Sequence, residues 1–335
     1  MHTRSCQQCC PSLCRLSLLS LILAALAWCG AATSNASLLP DTGQTTCYNA
    51  ALIITCPGPG QDYYGQDANY QARPPSYRNN GDGTVSDLVT GLSWQQAYDN
   101  VPRTREDASA YCQALGLGGF DDWRLPSRRD LLGLVNAGYV NPPIDPVFTC
   151  AKDAYWTDTD RLGSSGYVWF VDFILGASSY GPQTIQEHFR CVRGEAMPQP
   201  SFHDNLDQTV TDSSTGLTWE QAASASAMNW KEALAWCQAR TTAGKTDWRL
   251  PNKRELESLV VDARTPPVLD PVFQGAQTTY WSGTTANWTY AWHVHFYYGE
   301  SSVTNKTWPD NRVRCVRGGL HSPPATATTL LFLEN

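Results

Sequence analysis

An internal repeat constrains the fold of this 335-residue chain more than any other feature. DGTVSDLVTGLSWQQ in the first copy matches DQTVTDSSTGLTWEQ in the second, DWRLPSRRDLL matches DWRLPNKRELE, and both copies close on RCVRG. The spacings agree too, because 18 residues separate Trp94 from Cys112 and Trp219 from Cys237. Letters and spacings shared over about 110 residues indicate a duplicated structural unit. The sequence therefore predicts two copies of one domain.

The predicted organisation has six parts. They are a signal peptide at 1–32, an N-terminal cysteine-containing segment at 33–75, a first repeat at 76–194, a linker at 195–206, a second repeat at 207–320 and a tail at 321–335.

The first 32 residues have the pattern of a secretory leader. Arg4 and Arg15 precede an apolar run from Leu16 to Trp28, and small residues follow it. The run is too short to span a membrane, so no membrane span is expected. A lipid anchor at Cys29 is disfavoured by the bulky Trp28 before it. The pattern predicts a secreted, periplasmic or cell-surface protein.

Charge argues against nucleic acid as a partner. Two of the 24 basic residues fall in the leader, which leaves 22 basic against 31 acidic residues and a net charge of −9. An acidic chain repels polyanions by its overall field.

Seven cysteines follow the leader, an odd number that leaves at least one thiol outside any internal bridge. In an exported protein the others are expected to form disulfides. Matching positions in the two copies predict the bridges Cys112–Cys191 and Cys237–Cys315. The remaining pairing is Cys47–Cys56, with Cys150 alone. A metal site made of these thiols is the alternative, although no Cys-x-x-Cys spacing follows the leader.

Each copy is expected to combine a hairpin, two capped helices and further strands. Thr-Val-x-Asp, a Thr-Gly turn and Leu-x-Trp are typical of a β-hairpin. The capping residues pair three positions apart, as a capping box requires. These pairs are Thr104 with Asp107, Ser127 with Asp130, Asn229 with Glu232, and Asn252 with Glu255. The pattern predicts an α+β domain with two helices and a small, mostly antiparallel sheet.

Taken together, the hairpin, DWRLP, the YW and AWxVxF strands and RCVRG resemble the C-terminal domain of the Legionella collagen-like adhesin, a family catalogued as domain of unknown function 1566. The resemblance covers both repeats and implies two tandem C-type-lectin-like domains. The family is associated with binding sulfated glycosaminoglycans at host surfaces. Collagen-like repeats are absent here, and a shared fold does not fix activity.

A duplicated enzyme should repeat its catalytic groups, and these copies repeat only acidic, amide and arginine side chains. The pairs are Asp82/Asp207, Asp87/Asp212, Gln96/Gln221, Arg124/Arg249, Asp145/Asp270, Arg190/Arg314 and Arg193/Arg317. The first copy has one histidine, His188, so a nucleophile activated by histidine cannot occur twice as a matching set. We expect no enzyme, and we expect Arg124, Arg249, Asp145 and Asp270 to form ion pairs. A sulfatase-modifying enzyme is the weaker alternative, because neither copy has a redox cysteine pair in its last third.

The sequence contains two possible metal sites. His293 and His295 point the same way from a strand and could share an ion. The first copy has Phe170 and Asp172 at these places, and the sequence shows no third ligand. The simpler interpretation is that the two histidines lie on the outer face of a sheet and bind no metal. WTDTD and WPDN could supply oxygen ligands for calcium. The expectation is no cofactor, with calcium as the alternative.

The stretch from Tyr280 to Asn311 carries the strongest signal for binding. Its aromatic residues alternate with Asn, Thr and Ser, a combination that suits sugar rings or a protein partner. The candidate ligand-binding residues are Trp288, Tyr290, His293, His295, Tyr297, Tyr298, Trp308 and Asn311. We therefore expect a non-enzymatic protein that binds a glycan or a surface protein through its second repeat. A structural, self-assembling envelope module is the alternative.

Overall fold

A computed structural model describes residues 39–70 and 73–319. The predicted signal peptide, the lipid-anchor alternative at Cys29 and the predicted tail at 321–335 lie outside these residues. The N-terminal segment forms a short antiparallel hairpin from β1 (Cys47–Tyr48) and β2 (Ile53–Ile54), followed by a 3₁₀ turn at Asp67–Asn69.

The described part of the first repeat contains seven strands and two α-helices. The strands are β3 (Tyr77–Asn79), β4 (Thr84–Asp87), β5 (Ser93–Gln95), β6 (Ala154–Asp160), β7 (Tyr167–Asp172), β8 (Ala177–Pro182) and β9 (Val192–Arg193), and the helices are α1 (Arg105–Gln113) and α2 (Arg128–Leu132). One antiparallel sheet has the order β3-β4-β5-β9 and the other β6-β7-β8.

The second repeat has the same elements in the same order. Its strands are β10 (Phe202–Asp204), β11 (Thr209–Asp212), β12 (Leu217–Glu220), β13 (Thr279–Thr285), β14 (Tyr290–His295), β15 (Ser301–Asn305) and β16 (Val316–Arg317), and its helices are α3 (Trp230–Gln238) and α4 (Lys253–Ser258). The sheets are β10-β11-β12-β16 and β13-β14-β15, both antiparallel. Strand β10 lies within the stretch 195–206 that the sequence predicts as a linker. The α+β class and the tandem arrangement are confirmed.

The predicted hairpin forms in both repeats because its alternation places one large side chain per strand in the core. Val85 pairs with Trp94 and Val210 with Trp219, and all four are fully buried. Residues directly opposite each other on one face of an antiparallel pair stabilise it by contact. The hairpin thus anchors the core of each repeat.

Helix starts follow the predicted caps. Asn229 and Asn252 each accept a hydrogen bond from the third helical N–H, and the carboxylates of Glu232 and Glu255 accept one from the backbone N–H of the cap residue. Ser127 and Asp130 do the same at α2. At α1 the return bond differs, because the Thr104 hydroxyl, rather than its backbone N–H, donates to Asp107. Each cap satisfies backbone donors that would otherwise lack partners.

The three predicted disulfides are confirmed. Two of them join a helix to the last strand region of the same repeat, at Cys112–Cys191 and Cys237–Cys315, and the third closes the N-terminal hairpin at Cys47–Cys56. Cys150 is unpaired, and burial raises the pKa of its thiol. Each long bridge holds a helix against the sheet of its own repeat.

The predicted ion pairs are correct for the arginines and wrong for the aspartates. Arg124 pairs with Asp130 at 2.8 Å, and Arg249 pairs with both oxygens of Glu255. The carboxylates of Asp145 and Asp270 instead accept a backbone N–H two residues on, and no ion pair to either is found in the described residues. The residue after each is proline, so the chain turns there, and an aspartate in a turn commonly binds its own backbone.

The two repeats contact each other through equivalent residues. Arg128 at the start of α2 donates to the Gly299 carbonyl of the second repeat at 2.6 Å. Lys253 at the start of α4 donates to the Gly176 carbonyl of the first repeat at 2.8 Å. Gly176 and Gly299 occupy the same place, in the turn before β8 and β15. Exchanging the repeats therefore leaves this contact pattern unchanged.

An approximate two-fold axis passes between two serines. The Ser178 backbone N–H donates to the Ser301 hydroxyl at 3.0 Å, and the two hydroxyl oxygens are 3.3 Å apart. These serines are equivalent in the repeats. In a two-fold interface, one surface patch contacts the same patch of the other copy.

Candidate functional site

Three of the predicted aromatic residues lie together at one end of the sheet β13-β14-β15. Trp288 is in the turn before β14, Tyr290 begins that strand, and Trp308 follows β15; about half of each side chain is exposed. The two turns are joined, since the Lys306 N–H donates to the Thr289 carbonyl at 2.9 Å. We call Trp288, Tyr290 and Trp308 the aromatic surface.

Both turns of the aromatic surface are fixed by asparagine side chains. The Asn287 side-chain oxygen accepts the N–H groups of Thr289 and Tyr290, and the Asn305 side-chain oxygen accepts the N–H and hydroxyl of Thr307. Such local bonds hold a turn in one conformation. The exposed rings are therefore carried on ordered backbone.

Lys306 adds no cation to the aromatic surface. Its side chain points inward and is almost fully buried, with the ammonium 4.6 Å from the Trp230 ring centroid and 3.2 Å from the Asn49 carbonyl. Burial lowers the pKa of this lysine to about 7. The residue fastens the N-terminal segment to the second repeat.

Tyr297, Tyr298 and His295 lie at the opposite end of β14 from the aromatic surface. Strand β14 covers six residues, about 17 Å at 3.3–3.4 Å per residue. The Nδ1 atom of His295 accepts the N–H groups of Tyr297 and Tyr298, at 3.2 and 3.4 Å. The predicted candidates therefore form two separate groups.

Asn311 was wrongly predicted as a ligand-binding residue. It is 1% exposed, and its backbone carbonyl accepts the Met228 N–H at 3.0 Å. The chain returns to the core directly after the turn that carries Trp308, so the amide faces inward and its nitrogen has no partner among the described residues. It cannot reach a ligand on the surface.

The two histidines are used within the fold. His293 is half-buried, its Nδ1 lies 2.9 Å from the Thr304 hydroxyl, and burial together with His295 lowers its pKa to about 4. It is therefore neutral at pH 7. Within 39–70 and 73–319, no three His, Cys, Asp or Glu side chains are grouped as a metal site needs, including those in WTDTD and WPDN.

Comparison with known protein families identifies the two repeats. The Lcl C-terminal domain matches residues 83–193 and again residues 208–317, well over half of the chain. The chain belongs to the Lcl C-terminal domain family. No curated protein matches it. Both Lcl repeats run from the core hairpin to the closing strand, and the N-terminal segment precedes the first match. None of the helices in the described residues has the length and apolar character to cross a membrane.

A cleft of about 250 Å³ opens between the two Lcl repeats. The first repeat supplies apolar side chains from two loops, and the second supplies Lys253, Thr285, Ala286 and Trp292. The residues from the first repeat include Val135, Tyr139, Val140, Pro143, Ile174 and Leu175. We call this the open cleft. Val140 and Leu175 at its rim are 82% and 56% exposed, whereas Trp292 is buried.

The charge within the open cleft is balanced. The Lys253 ammonium lies 4.7 Å from the Trp292 ring centroid and bonds the Glu257 carboxylate at 2.7 Å. Burial lowers the pKa of Lys253, and the carboxylate beside it opposes that shift. The Thr285 hydroxyl is buried and has no hydrogen-bond partner among the described residues.

The two-fold axis relates the open cleft to a second one of about 10 Å³. Its residues occupy the matching positions of the other repeat. They include Arg161, Trp169, Val260, Asp262, Arg264 and Tyr298, which correspond to Ala286, Trp292, Val135, Ala137, Tyr139 and Leu175. We call this the closed cleft, because the buried Arg161 side chain fills it.

The residues that join the repeats are not among those that the sequence predicts as functional. Arg128 and Arg129 begin α2, Lys253 and Arg254 begin α4, and all four are buried. Adjacent cations in the first turn of a helix are unfavourable for the helix dipole, and this oddity occurs in both copies. The repeated pair of cations could have indicated, from the sequence alone, that other groups in the protein compensate their charges.

Proposed function

We propose that this chain is an exported, non-enzymatic protein that binds a glycan through the aromatic surface of its second Lcl repeat. The observation that supports this most directly is that three half-exposed aromatic side chains stand on two joined turns and at the start of the strand between them. The C–H faces of sugar rings pack well on such rings. Rigid aromatic side chains also bury area at a small cost in conformational entropy.

The first repeat offers much less of this surface. Trp288 stands in a turn whose counterpart, Leu162 to Gly166, contains no aromatic residue, and Ile185 occupies the place of Trp308. Only Tyr290 has an aromatic equivalent, Tyr167. Because architecture is shared by the copies, a difference of this kind supports a function in the second repeat.

Export and the lack of catalysis are part of the proposal. Three disulfides suit an oxidising compartment. The repeated polar residues Arg124, Arg249, Arg190 and Arg314 are engaged in ion pairs or bonds to backbone carbonyls. Groups engaged in this way serve the fold and support a binding role over a catalytic one.

A glycan array with the full mature chain tests the proposal. We expect binding to at least one glycan, and a loss of about tenfold in affinity for Trp288→Ala and for Trp308→Ala, because a ring that stacks on a sugar contributes about 1–2 kcal/mol. Trp236→Ala is the matched control, since Trp236 is similarly exposed but lies on α3. It should bind as the parent does.

The array result is read together with light scattering. Absence of binding to every glycan, combined with concentration-dependent self-association that Trp288→Ala abolishes, would refute the glycan proposal and support a self-assembling envelope module. Binding of a surface protein that the same two variants abolish, without glycan binding, would also refute it.

A further inference from the structure

We propose that the open cleft between the repeats binds a small, flat and uncharged ring, as a second ligand site distinct from the aromatic surface. The closed cleft shows what such a space holds, because the chain fills it with one of its own planar groups. The open cleft keeps a tryptophan and a valine at the matching places, Trp292 and Val135, without that group.

The occupant of the closed cleft is the guanidinium of Arg161. It lies 3.9 Å from the centroid of the Tyr180 ring and also faces Tyr298 at 5.9 Å. The equivalent residue in the second repeat is Ala286, whose backbone makes the matching hydrogen bond to the first residue of the next strand. Replacing a long planar side chain by a methyl group leaves space that a separate planar molecule can occupy.

The charges that accompany Arg161 are also absent from the open cleft. Asp262 and Arg264 line the closed cleft, and Ala137 and Tyr139 stand at their places in the open one. Leu175 likewise replaces Tyr298. The residues that line the open cleft include no carboxylate, and Glu257 beside it is already paired with Lys253. A cation that entered would therefore have no free countercharge, which makes burial of charge unfavourable. The open cleft suits an uncharged ring.

The size of the open cleft and its hydrogen-bonding groups narrow the class of ligand further. A cleft of about 250 Å³ accommodates a ligand with one ring and a few substituent atoms. Its rim exposes Val140 and Leu175, which an apolar ring would cover. Asn141 also lines the cleft and is exposed, and its amide can bond one polar substituent of such a ring. A phenol has this chemistry, either as a free compound or as a tyrosine side chain.

Saturation-transfer NMR with p-cresol on the full mature chain tests the site. We expect transfer to the ring protons of p-cresol, and a decrease of at least about fivefold in Ala286→Phe, because the new uncharged ring fills the cleft. Ala286→Ser is the size-matched control and should retain the signal within about twofold. Equal signals in the parent and in a folded Ala286→Phe would overturn the proposal.

The closed cleft supplies an independent test. Arg161→Ala should gain binding of benzamidine, a flat cation, whereas the parent should not bind it, because the rings of Tyr180 and Tyr298 that face the Arg161 guanidinium remain. Near-ultraviolet circular dichroism checks that each variant is folded. Benzamidine binding at the open cleft of the parent, in preference to p-cresol, would contradict the assigned ligand class.

Two further measurements distinguish a free phenol from a peptide as the ligand, and the open cleft from the aromatic surface as the site. The first is competition between p-cresol and a tripeptide that contains tyrosine. If the tripeptide binds more tightly than p-cresol, the natural ligand is a tyrosine side chain of a peptide. If it binds more weakly, the natural ligand is a free phenol. Trp288→Ala and Trp308→Ala should leave p-cresol binding unchanged. Failure of the glycan proposal therefore does not affect this one.

Discussion

Arg128 shows what a single buried cation contributes to this fold. Its guanidinium donates to the Asp262 carboxylate at 3.0 Å, to the Gly299 carbonyl and to the Ser178 hydroxyl, and it lies 4.3 Å from the Trp169 ring centroid. Burying a charge is costly, and the bonds made by the two terminal nitrogens of Arg128 offset that cost. All of these partners except Trp169 and Ser178 belong to the other repeat.

Substituting Arg128 by alanine should therefore destabilise the whole protein. We expect the free energy of unfolding to fall by about 3–5 kcal/mol, because Asp262 then stays buried with only the more distant Arg129 nearby. Urea unfolding followed by tryptophan fluorescence measures this. Lys231→Ala, which removes an exposed pair with Asp62, should have a far smaller effect, and equal losses would show that burial does not matter.

Asp67 makes stability depend on pH. Burial, and then the neighbouring Asp41, raise the pKa of its carboxyl to about 8, from 3.8 in an unfolded chain. Between about pH 4 and 8 the folded protein thus retains a proton that the unfolded chain releases. Stability contributed by this group is complete below pH 4 and is lost as the pH rises to 8.

The variant Asp67→Asn should weaken this dependence. An amide stays neutral, and its oxygen can accept the hydrogen bonds that the Thr42 and Thr284 hydroxyls donate at 2.6 Å. We expect the parent to lose up to about 1.4 kcal/mol per pH unit more than the variant within this range. Urea unfolding at pH 5 and pH 8 measures the difference, and parallel profiles would show that Asp67 ionises normally.

At the scale of elements, the long disulfides fix helices on sheets. Cys112 of α1 bonds Cys191, next to β9, across 79 residues. A bridge that closes so long a loop removes much conformational entropy from the unfolded chain. The same device in the second repeat, with the same spacing to within one residue, explains how the copies keep one architecture while their loops diverge.

Removing the pair with Cys112→Ala and Cys191→Ala should lower the free energy of unfolding by about 4 kcal/mol. Denaturant unfolding of non-reduced protein gives this value, and mass spectrometry of its peptides verifies the remaining bridges. Cys150→Ala is the control because its thiol is unpaired. A loss as large in the control would assign the effect to packing instead of cross-linking.

Local elements were predictable because their signals are local. The hairpins, the caps at Ser127, Asn229 and Asn252, and all three disulfides follow from short spacings and from the repeat. The position of Asn311 was not predictable in the same way. Its neighbours Trp308 and Asp310 are exposed, and only the return of the chain to Met228 buries it.

For the whole molecule, the sequence predicted two repeats and not how they pack. The joining cations stand at matching places, arginine at 128 with lysine at 253 and arginine at both 129 and 254, but nothing in either copy says which residues of the other copy they contact. The clefts also escape prediction, since each combines loops of one repeat with strands of the other. Contacts across such an interface leave no periodic pattern in either copy.

The N-terminal segment breaks the symmetry of the pair. It docks on the second repeat, where Gln44 exchanges two hydrogen bonds with the Thr285 backbone and Asp67 approaches Gly283. A side chain at Gly283 would come within 3.3 Å of the Asp67 nitrogen. The first repeat has Asp158 at that place, so the equivalent face cannot receive the segment in the same way.

Joining the two repeats in one chain has a consequence for how this interface can change. In an assembly of two identical subunits, every substitution occurs on both sides of the axis, and both clefts must be open or both filled. Here Arg161 and Ala286 are separate positions of one polypeptide. One cleft can serve as internal support while its twin is free to take on a ligand, so covalent fusion separates two roles that symmetry would otherwise force to be the same.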